Sequence, residues 1–248
     1  MEFEEVLKGG NWTPVVRVGD TVRRAAKPQT ETVHALLNHL VAHGFSGCPQ
    51  PRGFDGLGRE VLEFIPGTVP WPIVAEFVSA LGSDPAIARV ARLIREYHDV
   101  VVGWEPPSGA VWGAPPRVDD APVELICHND IAPWNLVVSA ERWSVIDWDV
   151  AGPGTRLEDL AYAALSFVPL GPSHATDAEI SHRLRVFTDA YGLSSSDVPK
   201  LLDLGILQAD AIGARHEAER LLPEWESHAA AWRGIARQVR QKRARWLT

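Results

Sequence analysis

Cysteine and methionine are scarce in these 248 residues, with two of the first and one of the second. Cys48 and Cys127 stand far apart with no metal-ligand spacing around them, which excludes a disulfide-stapled scaffold and points to a reducing cytoplasm. No apolar run approaches the roughly 18 residues that a membrane helix needs. The acidic start, Met1 to Gly10, lacks the apolar core of a secretory signal. Positive charge is also short. The formal net charge of −8 argues against general nucleic-acid binding. The acidic excess lies within residues 1–150, so it is no trap for cationic ligands at the C-terminal end. Internal repeats and low-complexity segments are missing too. What remains is an ordinary globular composition, 46% hydrophobic and 23% charged, long enough for one large domain or two packed lobes.

The first part of the chain is rich in strand signals. Val15–Val18 and Thr21–Ala25 are β-like runs divided by Gly19-Asp20, a tight-turn pair. Glu31–His43 has helical spacing, with Val33, Leu36, Leu37, Leu40 and Val41 on one face, Thr30 as its N-cap and Gly44 after its end. Glu60–Ile65 is a strand stopped by Pro66-Gly67. Beyond it, Asp84 and Pro85 open a helix carrying Ile87, Val90, Ala91, Ile94, Tyr97, His98 and Val101 at helical spacing. A loop rich in Pro, Gly and Trp occupies 103–122. Three short strands follow, at Glu124–Cys127, Leu136–Ser139 and Trp143–Asp147, and from Leu157 onward the chain reads as mostly helical. These patterns divide the chain into a small β-rich lobe, 1–65, and a larger, mainly helical lobe, 66–248.

Two polar clusters close two of those strands: Cys127-His128-Asn129-Asp130-Ile131-Ala132-Pro133-Trp134-Asn135 and Val145-Ile146-Asp147-Trp148-Asp149. A strand, a loop with Asp and Asn five apart, a hairpin and a strand-terminal Asp would bring Asp130, Asn135 and Asp147 together. Two carboxylates and an amide oxygen are hard donors suited to Mg²⁺. Phosphoryl transfer needs such a metal, and a carboxylate to orient the attacking hydroxyl.

His128–Asn135 resembles the H-x-D-x-x-x-x-N catalytic loop of protein-kinase-like enzymes, and Asp147 resembles the metal-binding Asp that follows it. Ile146-Asp147-Trp148-Asp149, the Ala151-Gly152-Pro153-Gly154 run and Asp159-Leu160-Ala161 are similar to the aminoglycoside phosphotransferase and choline kinase branch, which includes relatives labelled trifolitoxin immunity proteins. The likeness runs from about Leu7 to Pro169. It implies an α+β, two-lobe kinase-like fold with ATP or GTP between the lobes. The implied activity is transfer of the γ-phosphate to a hydroxyl of an antibiotic-like or metabolite acceptor. Asp130 would act as the catalytic carboxylate, and Asn135 and Asp147 would hold Mg²⁺. Departures from regulated protein kinases are plain. Ala132 stands where they carry Lys, Asn129 replaces the Arg of H-R-D, and nine residues between Asp149 and Asp159 leave no room for an activation loop. His128 and Asp159 are expected to brace the loop, and Asp149 to touch a second metal or the substrate or to make a structural hydrogen bond. The rival class is a non-catalytic immunity protein that keeps the kinase shape and sequesters a toxin or antibiotic.

On the nucleotide side, Leu7–Thr13 contains Gly9-Gly10-Asn11 and Thr13, a loop whose backbone N–H groups suit phosphate. Kinase-like folds place a Lys on the third strand, but Thr21–Ala25 has none. Strand alternation puts Arg24 on the face of Val22, and Arg24 resembles the Lys position, with Glu31 or His34 as its helical neighbour. Glu63 and Ile65 resemble the hinge that meets the base through backbone groups. The acceptor side is less legible. Glu217, Glu219, Glu224 and Glu226 with Trp225 offer acidity for an amine-bearing ligand, or simply a solvated face. Trp104, Trp112, Trp134 and Trp148 lie near the expected cleft in sequence.

Overall fold

The structure is a computed structural model that describes residues 3–7, 14–70, 81–220 and 224–247, the side chain of Trp225 excepted. It is a mixed α+β fold, β-rich at the N-terminal end and helical toward the C-terminal end.

Five antiparallel strands open the chain: β1 (Glu5–Leu7), β2 (Val15–Val18), β3 (Thr21–Ala25), β4 (Pro51–Phe54) and β5 (Arg59–Glu63), in the spatial order β1-β2-β3-β5-β4. Gly19 makes the β2–β3 turn at φ +61°, a left-handed conformation that glycine reaches without strain. The β3–β5 register sets Arg24 opposite Glu60. Strand β4 carries a proline and a glycine, which hides it from sequence patterning. It lies at the sheet edge, where proline is tolerated, and its register is irregular between Pro51 and Phe54.

Helix α1 (Thr30–Ala42) buries Val33, Leu36, Leu37 and Leu40 as its spacing dictates. Its N-cap is Gln29, one residue before the expected Thr30. Thr30 is already helical, and its hydroxyl accepts from the Lys27 N–H at 2.9 Å. Helix α2 (Asp84–Val101) carries Pro85 in its first turn and buries the foreseen apolar stripe. Residues 102–124 carry no regular element.

Strand β6 (Leu125–Cys127) pairs with β9 (Gly152–Gly154), and β7 (Leu136–Val138) with β8 (Trp143–Val145). Strand β9 is Gly-Pro-Gly and was not visible as a strand. Glycine is needed there because a Cβ on Gly154 would stand 2.6 Å from Cys127 Sγ. Four further helices follow among the described residues: α3 (Arg156–Phe167), α4 (Asp177–Tyr191), α5 (Val198–Glu219) and α6 (Trp225–Trp246). The first two open on full capping boxes, Thr155 with Glu158 and Thr176 with Glu179. One apolar core runs from Leu36 and Leu40 of α1 through Ile87, Tyr97 and Trp148 to Val239 and Trp246. Cys48 and Cys127 are buried free thiols within it. Among the described residues no helix is long and apolar enough to cross a membrane.

Candidate active site

Strand β6 delivers the chain to His128, and the backbone then turns sharply. Asn129 sits at φ +65°, a conformation that asparagine tolerates better than most residues. Its side-chain amide donates to Val150 O at 2.9 Å. The turn is held from below by Asp159, a fully buried carboxylate on α3. Asp159 accepts from the backbone N–H groups of His128 (2.9 Å) and Asn129 (2.8 Å), and pairs with His98 Nε2 at 3.1 Å. Burial works to raise the Asp159 carboxyl. The His98 hydrogen bond and the nearby imidazoles outweigh it and leave the group below its ordinary range. His128 is buried as well. Its Nδ1 accepts from the Asp130 N–H and its Nε2 donates to Ile146 O, which ties the loop to the end of β8. Burial lowers its proton affinity, so it stays neutral. Asp159 and His128 therefore make the bracing contacts expected of them.

Asp130 is presented above this brace with both carboxylate oxygens engaged. Oδ1 accepts from the Tyr162 hydroxyl at 2.5 Å, and Oδ2 accepts from Asn135 Nδ2 at 2.7 Å. Asn135 also donates to Asp130 O at 3.0 Å, which locks the short 3₁₀ turn Pro133–Asn135 under the loop. Burial is the largest influence on Asp130 and, with Asp147 nearby, pushes its carboxyl up to about 6 against the hydrogen bonds from Tyr162, Asn135 and Trp134. A carboxylate titrating near neutrality is suited to proton transfer. Tyr162 was missed in the sequence. It lies on α3, distant from Asp130 along the chain, and its ring stacks on Trp232 of α6 with centroids 5.8 Å apart.

Asp147 follows β8 at φ +61°, ψ +67°, and its side chain is 49% exposed. Arg24 of β3 reaches across to it. The guanidinium donates through Nη1 to Asp147 Oδ1 (3.1 Å), through Nη2 to Asp149 Oδ1 (2.6 Å) and through Nε to Glu60 Oε2 (2.6 Å). Lys27 Nζ adds a 2.5 Å contact to Asp149 Oδ2, and Gln29 Nε2 donates to Asp149 O. Burial opposes the charge on Arg24, but Asp149, Glu60 and Asp147 together raise its proton affinity. Burial likewise opposes the charge on Asp149, and Arg24 and Lys27 more than compensate, so its carboxyl lies below its ordinary range.

The acidic partner of Arg24 differs from the sequence expectation. Glu31 is exposed on α1 and makes no contact with Arg24. The partner is Glu60, directly across the β3–β5 ladder, and His34 meets the other oxygen of Glu60 at 3.1 Å. Arg23, on the opposite face of β3, lies 3.7 Å from Asp55.

The other sequence candidates divide. Gly9, Gly10, Asn11 and Thr13 lie outside the described residues. Glu63 turns its carboxylate to Arg142 Nη1 (2.8 Å) and the Gln50 N–H, while Ile65 is buried and its N–H makes no backbone hydrogen bond among the described residues. Trp148 is a core residue packed edge-on against His128 and Tyr97, so it does not line a cleft. Trp104 and Trp112 pack on each other. Within the acidic patch, Glu217 pairs with Arg233 at 2.6 Å and Glu219 with Arg215 at 3.1 Å.

Comparison with known proteins accords with this geometry. The family model for the phosphotransferase enzyme family (APH) matches residues 110–192, the stretch that carries Asp130, Asn135, Asp147 and Tyr162. Trifolitoxin immunity protein from Rhizobium leguminosarum bv. trifolii is 32% identical over 259 residues, covering 94% of this chain and 93% of that protein. The chain belongs to the phosphotransferase enzyme family. Solved structures place this family member in the kinase-like fold. A choline/ethanolamine kinase family protein from Mesorhizobium loti superposes with a TM-score of 0.66 at 17% identity, covering 98% of this chain and 90% of that one. An amicoumacin kinase in complex with AMP-PNP, Ca²⁺ and Ami gives 0.72 at 12% identity, with 96% and 88% covered. A microcompartment-associated aminopropanol kinase gives 0.66 at 16% identity, with 100% and 95% covered.

Proposed function

We propose that this family member is a small-molecule kinase that moves the γ-phosphate of ATP or GTP to a hydroxyl of an antibiotic-like or metabolite acceptor. The observation that carries the reading is Asp130, a carboxylate raised toward neutrality, held by two donors and standing beside Asn135 and Asp147. In the reaction the acceptor oxygen bonds to the γ-phosphorus, the bond from phosphorus to the β–γ bridging oxygen breaks, and the nucleoside diphosphate leaves with that electron pair. The hydroxyl proton passes to Asp130. Positioning and charge neutralisation carry such a reaction, with no covalent enzyme intermediate.

The residues present fit Mg²⁺. Among the described residues there is no cluster of three His, Cys, Asp or Glu side chains for a metal. Mg²⁺ does not need one, because it is usually held by one or two protein oxygens together with phosphates and water. Asn135 spends its amide nitrogen on Asp130, which frees its carbonyl oxygen as a donor, and Asp147 presents a half-exposed carboxylate. When bound, the ion neutralises charge on the phosphates. Arg24, held by Glu60, faces the same region and steadies the phosphates with the Gly9–Thr13 loop. The backbone at Glu63 and Ile65 meets the base. Nucleotide dependence and two free thiols suit the cytoplasm.

The second reading is a kinase-shaped immunity protein that binds without catalysis. The ion pair already closed between Arg24 and Asp147, and the 32% likeness to an immunity protein, support it. Incubation of the purified chain with ATP or GTP, Mg²⁺ and a panel of aminoglycosides, other antibiotics and hydroxylated metabolites separates the two. A mass gain of one phosphoryl group on an acceptor is expected. Nucleotide-independent binding with no transfer to any acceptor refutes the kinase reading.

A further inference from the structure

We infer that the acceptor of this kinase is an apolar molecule bearing an acidic group, held in a cavity beside the Asp130 loop, and not a polycation. The inference rests on the kinase reading and adds the substrate class.

A cavity of about 480 Å³ opens between the C-terminal end of α3, the first half of α6 and the catalytic loop. Its size falls in the roughly 300–1,000 Å³ range of small-molecule sites. Pro133, three residues beyond Asp130, forms part of its wall. Leu165 and Ser166 line it one turn after Tyr162, whose hydroxyl holds Asp130. Ala231 lines it from α6, next to Trp232, which stacks on Tyr162. None of its described walls comes from the five-stranded sheet that carries Arg24, so the cavity belongs to the part of the fold that holds the Asp130 loop.

The chemistry of the walls decides what it can hold. The described lining is dominated by Leu, Val, Phe, Ala, Pro and Ile, with two serines and one charged residue, Arg183. No carboxylate is among the described lining residues. A polycation would lose its hydration there with no counter-charge, which is costly. Of the acids that sequence offered for an amine, Glu217 and Glu219 are paired with arginines, and neither they nor Glu224 and Glu226 are among the described lining residues. Arg183 is half-buried on α4. Its charge is felt by Glu179 one turn earlier, but that carboxylate is held by the Thr176 cap, so the guanidinium can still meet a carboxylate, sulfonate or phosphate in the cavity.

Anilinonaphthalene sulfonate, an apolar anion that fluoresces on leaving water, is the probe. It should bind the native chain saturably. Ala231→Trp, at an exposed helix position that tolerates bulk, should fill the cavity and abolish the signal. Arg183→Ala should weaken binding about tenfold, the equivalent of ~1.4 kcal/mol. Millimolar kanamycin should not displace the probe. No saturable binding to the native chain, binding indifferent to both substitutions, or displacement by kanamycin overturns the inference. A thermal shift with ATP and Mg²⁺ on the same samples keeps the two claims apart. Its absence from the native chain refutes the kinase reading, and its persistence in Ala231→Trp shows a folded protein altered only at the cavity.

Discussion

Replacing Arg24 by alanine removes one guanidinium from three carboxylates, and the structure shows where the cost falls. Asp147 is 49% exposed and can return to water. Asp149 keeps Lys27 at 2.5 Å. Glu60 is the exposed point of the network in energetic terms: its side chain is only 2% accessible, and it would retain His34 alone, at 3.1 Å. Stranding a buried charge by deleting its partner costs roughly 3–5 kcal/mol. The lower end applies because His34 persists, so Arg24→Ala should lose about 3 kcal/mol of folding stability. For a chain of this size that is a fall in Tm of roughly 6–12 °C. Urea unfolding and calorimetry measure it. Glu60→Gln introduced into the Arg24→Ala chain should recover most of the loss, since a neutral amide no longer strands a charge. Arg24→Lys should recover part of it, because one ammonium cannot serve Glu60, Asp149 and Asp147 at once. The pH dependence has a definite sign. Burial raises the Glu60 carboxyl, and His34 and Arg24 more than offset this, leaving it below its ordinary value of 4.5. Its contribution is therefore present at neutral pH and is lost as pH falls through that lowered folded value. The deficit of Arg24→Ala should narrow as pH falls below 4.5 toward that lowered value. A deficit under about 1 kcal/mol, the ordinary effect of a surface change, would refute this account. So would failure of Glu60→Gln to restore stability.

Asp130→Asn should abolish transfer, with a loss of ~10²–10⁴ in rate, while calorimetry still finds nucleotide bound. Because Asp130 must be ionised to accept the hydroxyl proton and its carboxyl is raised to about 6, kcat/KM should fall as pH drops through that value. Tyr162→Phe removes a hydrogen bond to the charged form, so the same acidic limb should move to higher pH. Its kcat should fall about 10–100-fold with nucleotide KM unchanged, the worth of one hydrogen bond to a charged group. A profile that does not move would show that Tyr162 merely fills space. Asp147→Ala should lose the Mg²⁺ dependence of nucleotide affinity in a calorimetric titration, because its carboxylate is the charged member of the proposed metal pair.

Local patterns alone reveal a good deal of this molecule. Helices α1 and α2 follow from apolar residues at helical spacing, because a helix must bury one face wherever it packs. The proposed catalytic loop between β6 and β7, and Asp147 at the end of β8, are legible because five residues of loop and a short hairpin leave the chain few ways to run. Arg24 could be chosen over Arg23 from strand alternation, which is set by the backbone itself. Partners across the fold are another matter. Glu60 belongs to Arg24 only because β3 lies beside β5 in one register, while Glu31, nearer in sequence, points to solvent. Tyr162 reaches Asp130 because Asp159, three residues earlier on the same helix, pins the loop over α3. Strand β9 has no strand-like residues at all and exists because Gly154 lets the backbone close against Cys127. Periodicity and turn chemistry act over a few residues and can be read along the chain. Charge pairing, the titration of Asp130 and the apolar character of the cavity beside it depend on burial and distance, which arise only when remote segments pack together.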